Sequence, residues 1–413
     1  SDEQVVPAKR SNKEEQSSAE SVEGSCSTKG NIDGANTSRT QDREIVSRGL
    51  VGVREAARRD KKQKFTTLLH HVTTDLLRAS YAPLKRKAAA GVDGVTWQQY
   101  GEGMEEQTQD LHDRIHRGAY RAQPSRRTYI PKADGRQRPL GIAALEDKVV
   151  QQAVVTVLNQ IYEEDFLGFS YGFRPGRSQH QALDALSVGL RRKKVNWVLD
   201  LDVRGFFDNV SHEWLIKFVE HRIADRRILR LIQKWLKAGV SEEGKWTETT
   251  VGTPQGAVVS PLLANIYLHY VYDLWVHQWR RRHAGGEVIV VRYADDIVVG
   301  FQHRSEAERF LDELRQRLRR FGLELHPQKT KIVYCKDDDR RGTYPNEKFD
   351  FLGYTFRPRR SKNRHGKYFV NFTPSVSDKA VKAIREEIRS WNLHLRSDKA
   401  IEDLSRMFNP IIR

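Results

Sequence analysis

Val288-Ile289-Val290-Val291-Arg292-Tyr293-Ala294-Asp295-Asp296-Ile297-Val298-Val299-Gly300-Phe301 holds two β-branched runs, Val288 to Tyr293 and Ile297 to Phe301. Only Ala294-Asp295-Asp296 separates them, which predicts a β-hairpin with an acidic tip. Upstream, Trp197-Val198-Leu199-Asp200-Leu201-Asp202-Val203 reads as a strand that ends on a further acid. Asp is uncommon inside strands, so an Asp at this place asks for a reason. Helices are expected near His212–Val219 and Asp225–Leu236. Ser260-Pro261 reads as an N-cap with proline at N1, opening a helix to about Arg282. Ser305 with Glu308 reads as a capping box. Phe310, Leu311, Leu314, Leu318 and Phe321 fall on one helical face, and Gly322 ends that helix. Leu323 to Tyr334 supplies a further strand, interrupted near Pro327. The order strand, helices, strand, strand, helix, strand is the β-α-β-β-α-β order of a ferredoxin-like sheet. That layout hosts many functions, so it does not name an activity.

Where the carboxylates fall is more informative. If the first and second of these strands lie side by side, Asp202, Asp295 and Asp296 meet at one end of the sheet. Asp200 shares a strand face with Asp202 by the two-residue period, so geometry alone leaves either as the ligand. Like charges this close raise one another's pKa or require a cation. Hard divalent ions with oxygen ligands answer that need. Two metals roughly 3.5–4 Å apart can clamp the attacking and leaving oxygens of an in-line displacement, which is phosphoryl-transfer chemistry. An Asp-Asp pair in a solvated turn is the plain alternative.

The chain has 413 residues, enough for two or three domains, and a formal charge of +17. Residues 1–44 hold six Lys/Arg against nine Asp/Glu and no aromatic residue, which reads as a disordered tail. The other 369 residues carry 65 basic and 45 acidic side chains. A body that basic suggests a polyanionic partner, foremost nucleic acid. No run of 18 apolar residues exists, so no membrane span is expected. Ser1 to Lys29 has no apolar core of a secretory signal. Two cysteines, Cys26 and Cys335, cannot build a disulfide framework or a zinc cluster, and fit a reducing interior compartment.

Nearer the start, Ile45 to Arg59, Phe65 to Arg78, Tyr100 to His116 and Leu145 to Ile161 read as helices. Arg127 to Pro131 and Arg138 to Ile142 flank a turn at Ala133-Asp134-Gly135, predicting a second hairpin. His70, His71 and His180 have no spacing partner for a metal site.

Tyr293-Ala294-Asp295-Asp296 does not stand alone. Ser170-Tyr171-Gly172-Phe173-Arg174-Pro175-Gly176-Arg177-Ser178, Asp202-Val203-Arg204-Gly205-Phe206-Phe207-Asp208, Thr253-Pro254-Gln255-Gly256, Ser260-Pro261-Leu262-Leu263-Ala264-Asn265, Leu325 to Lys331, and Phe351-Leu352-Gly353-Tyr354 accompany it in order. Over roughly residues 80–413 the chain resembles the bacterial group II intron-encoded reverse transcriptases, or maturases. The resemblance implies an α+β right-hand polymerase with helical and β-hairpin fingers, a ferredoxin-like βαββαβ palm and the start of a helical thumb. It implies a disordered tail over 1–44, an N-terminal extension and fingers over 45–195, and a palm with primer grip over 196–372, part of the fingers falling at 225–285. The beginning of the thumb or maturase domain follows over 373–413. Phe408 to Arg413 resembles the opening of a maturase segment, so a truncated sequence is expected.

By the same resemblance Asp202, not Asp200, joins Asp295 and Asp296 as catalytic and metal-binding, with the Val203 carbonyl completing one shell. Two Mg²⁺ ions are implied, with Mn²⁺ as a substitute. Lys132, Arg138, Phe207, Gln255 and Lys329 are implied around the nucleotide, Phe207 as a bulky ring that rejects a ribose 2′-hydroxyl. Leu352 and Gly353 are implied at the primer end. Asp208 matches the motif but is not expected to bind metal. The implied activity is RNA-directed DNA synthesis in the bacterial cytoplasm, on an RNA template and DNA primer with deoxynucleoside triphosphates. Group II intron RNA is bound as well, for splicing and retrohoming. A defence- or CRISPR-associated reverse transcriptase, a non-catalytic RNA-binding splicing factor and an RNA-templated RNA polymerase are the alternatives; the carboxylates and Phe207 weigh against the last two.

In the last segment Ser377 or Asp378 is expected to cap a helix. Val381, Ile384, Ile388, Trp391 and Leu395 would form its apolar face.

Overall fold

A computed structural model describes residues 49–131, 137–242, 244–253 and 256–412. The acidic tail expected over 1–44 lies outside these residues. The described chain forms two compact units that meet in sequence between Ile332 and Val333.

In the first unit, strands β1 (Ser125–Pro131) and β2 (Gln137–Ile142) pair antiparallel from Arg126↔Ile142 to Pro131↔Gln137, the hairpin expected from the sequence. β3 is Trp197–Asp202. Two three-residue strands, β4 (Val240–Glu242) and β5 (Lys245–Thr247), extend the first sheet to the order β2-β1-β4-β5. They are too short and too exposed to show an alternating pattern. β6 (Val288–Tyr293) and β7 (Asp296–Phe301) form the acidic hairpin, and β8 (Lys331–Tyr334) carries the chain out of this unit.

The second sheet runs β6-β7-β3-β8. Numbered within the β-α-β-β-α-β unit this is 2-3-1-4, so the first strand lies beside the third and not, as expected, beside the second. The carboxylates converge all the same, because the third strand begins with Asp296. The connecting turn also has two residues, Ala294 and Asp295, rather than three, since Asp296 already pairs with Tyr293. Ala294 meets the tight turn with a left-handed φ of 56°, a conformation that costs an L-residue energy.

Helices cover the sheet where apolar periodicity placed them. Arg304–Arg320 packs on β3 and β7, burying Ala307, Phe310, Leu311, Leu314 and Leu318. It starts two residues earlier than expected. His303 is its N-cap with no side-chain bond, and Glu308 pairs with Arg304 at 2.8 Å instead of closing a capping box. Gly322 (φ 73°) ends it. The segment 65–81 is broken into a short 3₁₀ turn (Leu69–His71) and a helix (Thr74–Tyr81), and Gly103 divides the next helical stretch in two. Lys331–Tyr334 alone is strand in the run from Leu323, with Leu325 making a lone bridge to Val203.

The long helix from Ser260 to His283 contains a π turn at His269–Asp273. Val259, not Ser260, is its N-cap. Residues of this helix meet β6 at Arg292, which is fully buried. Its Nε and Nη2 donate to the two Asp273 carboxylate oxygens at 2.7 and 2.6 Å. Nη1 donates to Asn265 Oδ1 at 2.9 Å and to the Ala294 carbonyl at 3.0 Å, and Nη2 also to Ser170 Oγ at 2.7 Å. All five guanidinium N–H groups are thereby used. One bond goes directly to the acidic turn.

The second unit holds β9 (Phe349–Phe351), β10 (Tyr354–Lys362) and β11 (Tyr368–Val376) in the order β11-β10-β9. Phe349 stacks on Phe356 at 4.9 Å. Ser377 caps the helix Asp378–Ser390 by accepting from the Ala380 amide. The apolar face expected there is present but not packed as a core: Ile384, Ile388 and Leu395 are exposed. Only Trp391 finds a ring, Phe408, at 4.5 Å. Periodicity says that a helix has an apolar face, not what covers it.

Removing one partner of the Arg292–Asp273 pair strands a charge in the interior. Arg292→Met is expected to lower stability by roughly 3–5 kcal/mol, read as a lower urea midpoint, while the double variant Arg292→Met/Asp273→Leu recovers part of that loss.

Candidate active site

β3 and β7 run antiparallel with Asp202 directly opposite Asp296. Facing Cα atoms in such a ladder are about 4.5–5.5 Å apart. Asp295 sits in the turn that precedes Asp296, so three carboxylates share one end of the sheet. Asp200 lies two residues back, opposite Val298, with Lys331 Nζ 3.8 Å from its carboxylate. The register therefore sets Asp202, and not Asp200, across from Asp296, a distinction the period of the strand could not make. Beyond it, Val203 bridges Leu325 while the flanking residues make the bonds: the His326 amide donates to Asp202 O and the Arg204 amide to Glu324 O, each at 2.8 Å. In this kind of pair the Val203 carbonyl is left out of the bridge.

Asp296 is exposed at the start of its strand, yet its pKa is pushed up to about 6. Loss of hydration around the carboxylate is the first cause, followed by the charges of Asp295 and Asp202; Lys329 opposes them. Lys329 Nζ lies 2.9 Å from Asp202 Oδ2. Among the described residues no three His, Cys, Asp or Glu side chains already close on one point. The backbone gathers the acids, and the ammonium of Lys329 holds one of them. The donor set is hard oxygen throughout, which fits Mg²⁺ far better than zinc or copper.

The Ser170–Ser178 block packs against this hairpin. Ser170 pairs with Arg292 as a parallel bridge, and the Tyr171 amide donates to the Arg292 carbonyl at 2.8 Å. Gly172 sits so close that a Cβ there would lie 2.3 Å from the Ala294 nitrogen. Asn265 Nδ2 holds the Gly172 carbonyl at 2.8 Å.

This arrangement has relatives. A family profile described as reverse transcriptase (RNA-dependent DNA polymerase) matches residues 130–356, more than half of the chain. The chain belongs to the reverse transcriptases. It is 34% identical over 348 residues to Protein YkfC of Escherichia coli (strain K12), covering 75% of this chain and 87% of that protein. It is 38% identical over 207 residues to the group II intron-encoded protein LtrA of Lactococcus lactis subsp. cremoris, covering 50% of this chain and 34% of LtrA. A 91 kDa protein in the cob intron of Schizosaccharomyces pombe is 45% identical over 146 residues, 35% of this chain and 18% of that protein. The chain thus spans most of YkfC and about a third of LtrA.

The other residues expected around a reverse transcriptase's nucleotide fall unevenly. Lys132 and Gln255 lie outside the described residues. Arg138 stands on β2 opposite Ile130. Phe207 lies in the short helix Phe206–Asn209 that follows β3, half-buried and edge-on to Phe206 at 5.3 Å. The Thr253 amide donates to its carbonyl at 2.8 Å, and a Cβ on Gly252 would sit 2.9 Å from that same oxygen. The ring is thus no core residue, and its backbone is pinned by the Gly252-Thr253 segment. Leu352 and Gly353 belong to the second unit and form the β9–β10 turn, with φ of 49° and 82°. Arg292, Asp273 and Asn265 were not read as site residues from the sequence. The available signal was an arginine inside an otherwise apolar strand.

The raised pKa of Asp296 carries a sign. Ionisation weakens the folded state, so its effect is absent below about pH 4, grows between pH 4 and 6, and is complete above. In EDTA at pH 8, Asp296→Asn is expected to be more stable than wild type by on the order of 1 kcal/mol, the shift being discounted for solvent screening. The gap should close as pH falls to 4. Equal stability of Asp296→Asn and wild type at pH 8 would show that the Asp296 carboxylate carries no such penalty in the folded state.

Proposed function

We propose that the chain is the polymerase part of a group II intron-encoded reverse transcriptase, copying RNA into DNA by two-metal nucleotidyl transfer. The observation that carries the reading is the register that sets Asp202 against Asp296 at the tip of the β6–β7 hairpin. Residues 45–195 would be the N-terminal extension and fingers, with 225–285 adding to them. Residues 196–372 would be the palm and primer grip, and 373–413 the start of the thumb.

Asp202, Asp295, Asp296 and the Val203 carbonyl would hold the divalent ions. When bound, such ions supply charge neutralisation and alignment for an in-line displacement. The primer 3′-hydroxyl would attack the α-phosphate, forming the O3′–P bond as the bond to pyrophosphate breaks. Nothing covalent forms on the protein, so catalysis rests on positioning and charge stabilisation. Lys132 and Arg138 would neutralise the triphosphate. Lys329, released from Asp202, would meet the leaving pyrophosphate and give it a proton from Nζ. Phe207 would pack on the sugar and exclude a 2′-hydroxyl, Gln255 would support the nucleotide, and the Leu352-Gly353 turn would hold the primer end. The basic body would bind the intron RNA and so assist splicing and retrohoming.

The purified protein is expected to extend a DNA primer on an RNA template with Mg²⁺. Asp295→Ala should cut extension by at least ~10²–10³-fold, the scale of losing one preorganised electrostatic group, with RNA affinity kept. Tight RNA binding without extension by the wild type would leave the splicing-factor reading instead. Phe207→Ala should admit ribonucleotides; unchanged sugar selectivity would remove it as the gate.

A further inference from the structure

Between Gly172 and Arg174 the chain does something costly. Gly172 is buried and locked under the acidic turn by its close approach to Ala294 and by Asn265. Arg174 is 6% exposed, its guanidinium held by Glu163 at 3.0 Å and by the carbonyls of Leu167 and Ser170 at 2.9 and 2.7 Å. Phe173, caught between two anchored neighbours, takes φ of 57° and is left 56% exposed. A left-handed backbone at a bulky residue is an outlier, and a phenyl that keeps more than half of its surface in water gains little from folding. Both penalties fall on one residue, whose ring centroid is 6.2 Å from that of Tyr293 in the acidic hairpin. Strain that the surroundings over-determine, next to a reaction centre, points to a ligand rather than to the fold.

We propose that Phe173 is an aromatic platform on which a nucleotide of the bound template–primer duplex packs beside the Tyr293–Asp296 turn, setting the register of the duplex against the three carboxylates. The proposal rests on the polymerase reading and assigns part of its substrate contact. The chemistry is that of single bases and sugars meeting protein rings: every base has a π face, so the contact is tolerant of sequence. A surface phenyl held rigid loses little entropy when the nucleotide arrives, which is the use of fixing it from both sides.

The test separates the platform from the polymerase. Binding of a fluorescent RNA–DNA template–primer is measured by anisotropy without nucleotide, and extension is measured separately. Phe173→Leu is expected to weaken duplex binding roughly 10- to 100-fold, the range seen when a stacking ring is lost, and Phe173→Trp to keep it. The thermal midpoint of Phe173→Leu should equal that of wild type, because the ring is exposed. With 2-aminopurine placed at successive positions near the primer end, one position should be quenched in wild type and bright in Phe173→Leu. Equal duplex affinity of Phe173→Leu and wild type, no 2-aminopurine position that differs, or a lowered midpoint with unchanged affinity would each overturn the platform while extension by the wild type keeps the polymerase reading. Loss of affinity in Phe173→Leu together with no extension by wild type would uphold the platform and defeat the polymerase reading.

Discussion

A guanidinium with no access to water organises the acidic end of this molecule. Arg292 spends its five N–H groups on Asp273, Asn265, Ser170 and the Ala294 carbonyl. These partners come from the long helix, the Ser170–Ser178 block and the turn itself. A buried ion pair is weak evidence for stability, since hydration lost by both charges offsets their attraction. Its effect here is geometric. Three segments far apart in sequence are tied to one planar fork, and each bond fixes a direction as well as a distance. The turn that carries Asp295 therefore cannot tilt without breaking a bond that has no water to replace it. The π turn at His269–Asp273 belongs to the same device. An extra residue in the helical turn re-aims a side chain, and Asp273 is the last residue of that turn. His269 lies beside it, fully enclosed and pushed down to a pKa of about 4 by burial, so it stays neutral next to the pair.

Much of this was legible beforehand, for reasons that differ by element. The acidic hairpin could be read because β-branched runs and a short polar spacer are local signals. The helix ending at Gly322 could be read from its apolar period and its glycine. Asp202 could be suspected because strands disfavour Asp. What could not be read was which strand lies beside which. The sheet places the first strand against the third, and only the register then separates Asp202 from Asp200. Nor could the Arg292 network be read, since an arginine in an apolar run looks like any edge residue until its side-chain partners, 19 to 122 positions away, are in place. The short strands β4 and β5 fall below the length at which alternation means anything. Errors of one residue at Ser260 and two at Ser305 have a humbler cause: both serines lie just inside their helices, where a cap pattern can be shifted by one or two positions.

The distribution of backbone strain bears on the same question. Among the described residues, four that are not glycine have a left-handed φ: Phe173, Ala294, Leu352 and Asn392. Asn tolerates that region. The other three do not, and each falls inside a motif singled out from the sequence alone: the Ser170–Ser178 block, the acidic turn and the Phe351–Tyr354 turn. A sequence under pressure only to fold would place glycine or asparagine at such positions. Glycine stands beside two of them, at Gly172 and Gly353, so the substitution was within reach, and a side chain was kept instead. At Ala294 the side chain is buried against its neighbours. At Phe173 it is turned outward. The same unfavourable conformation thus serves two ends, one closing the turn that holds the acids and one presenting a ring beside it.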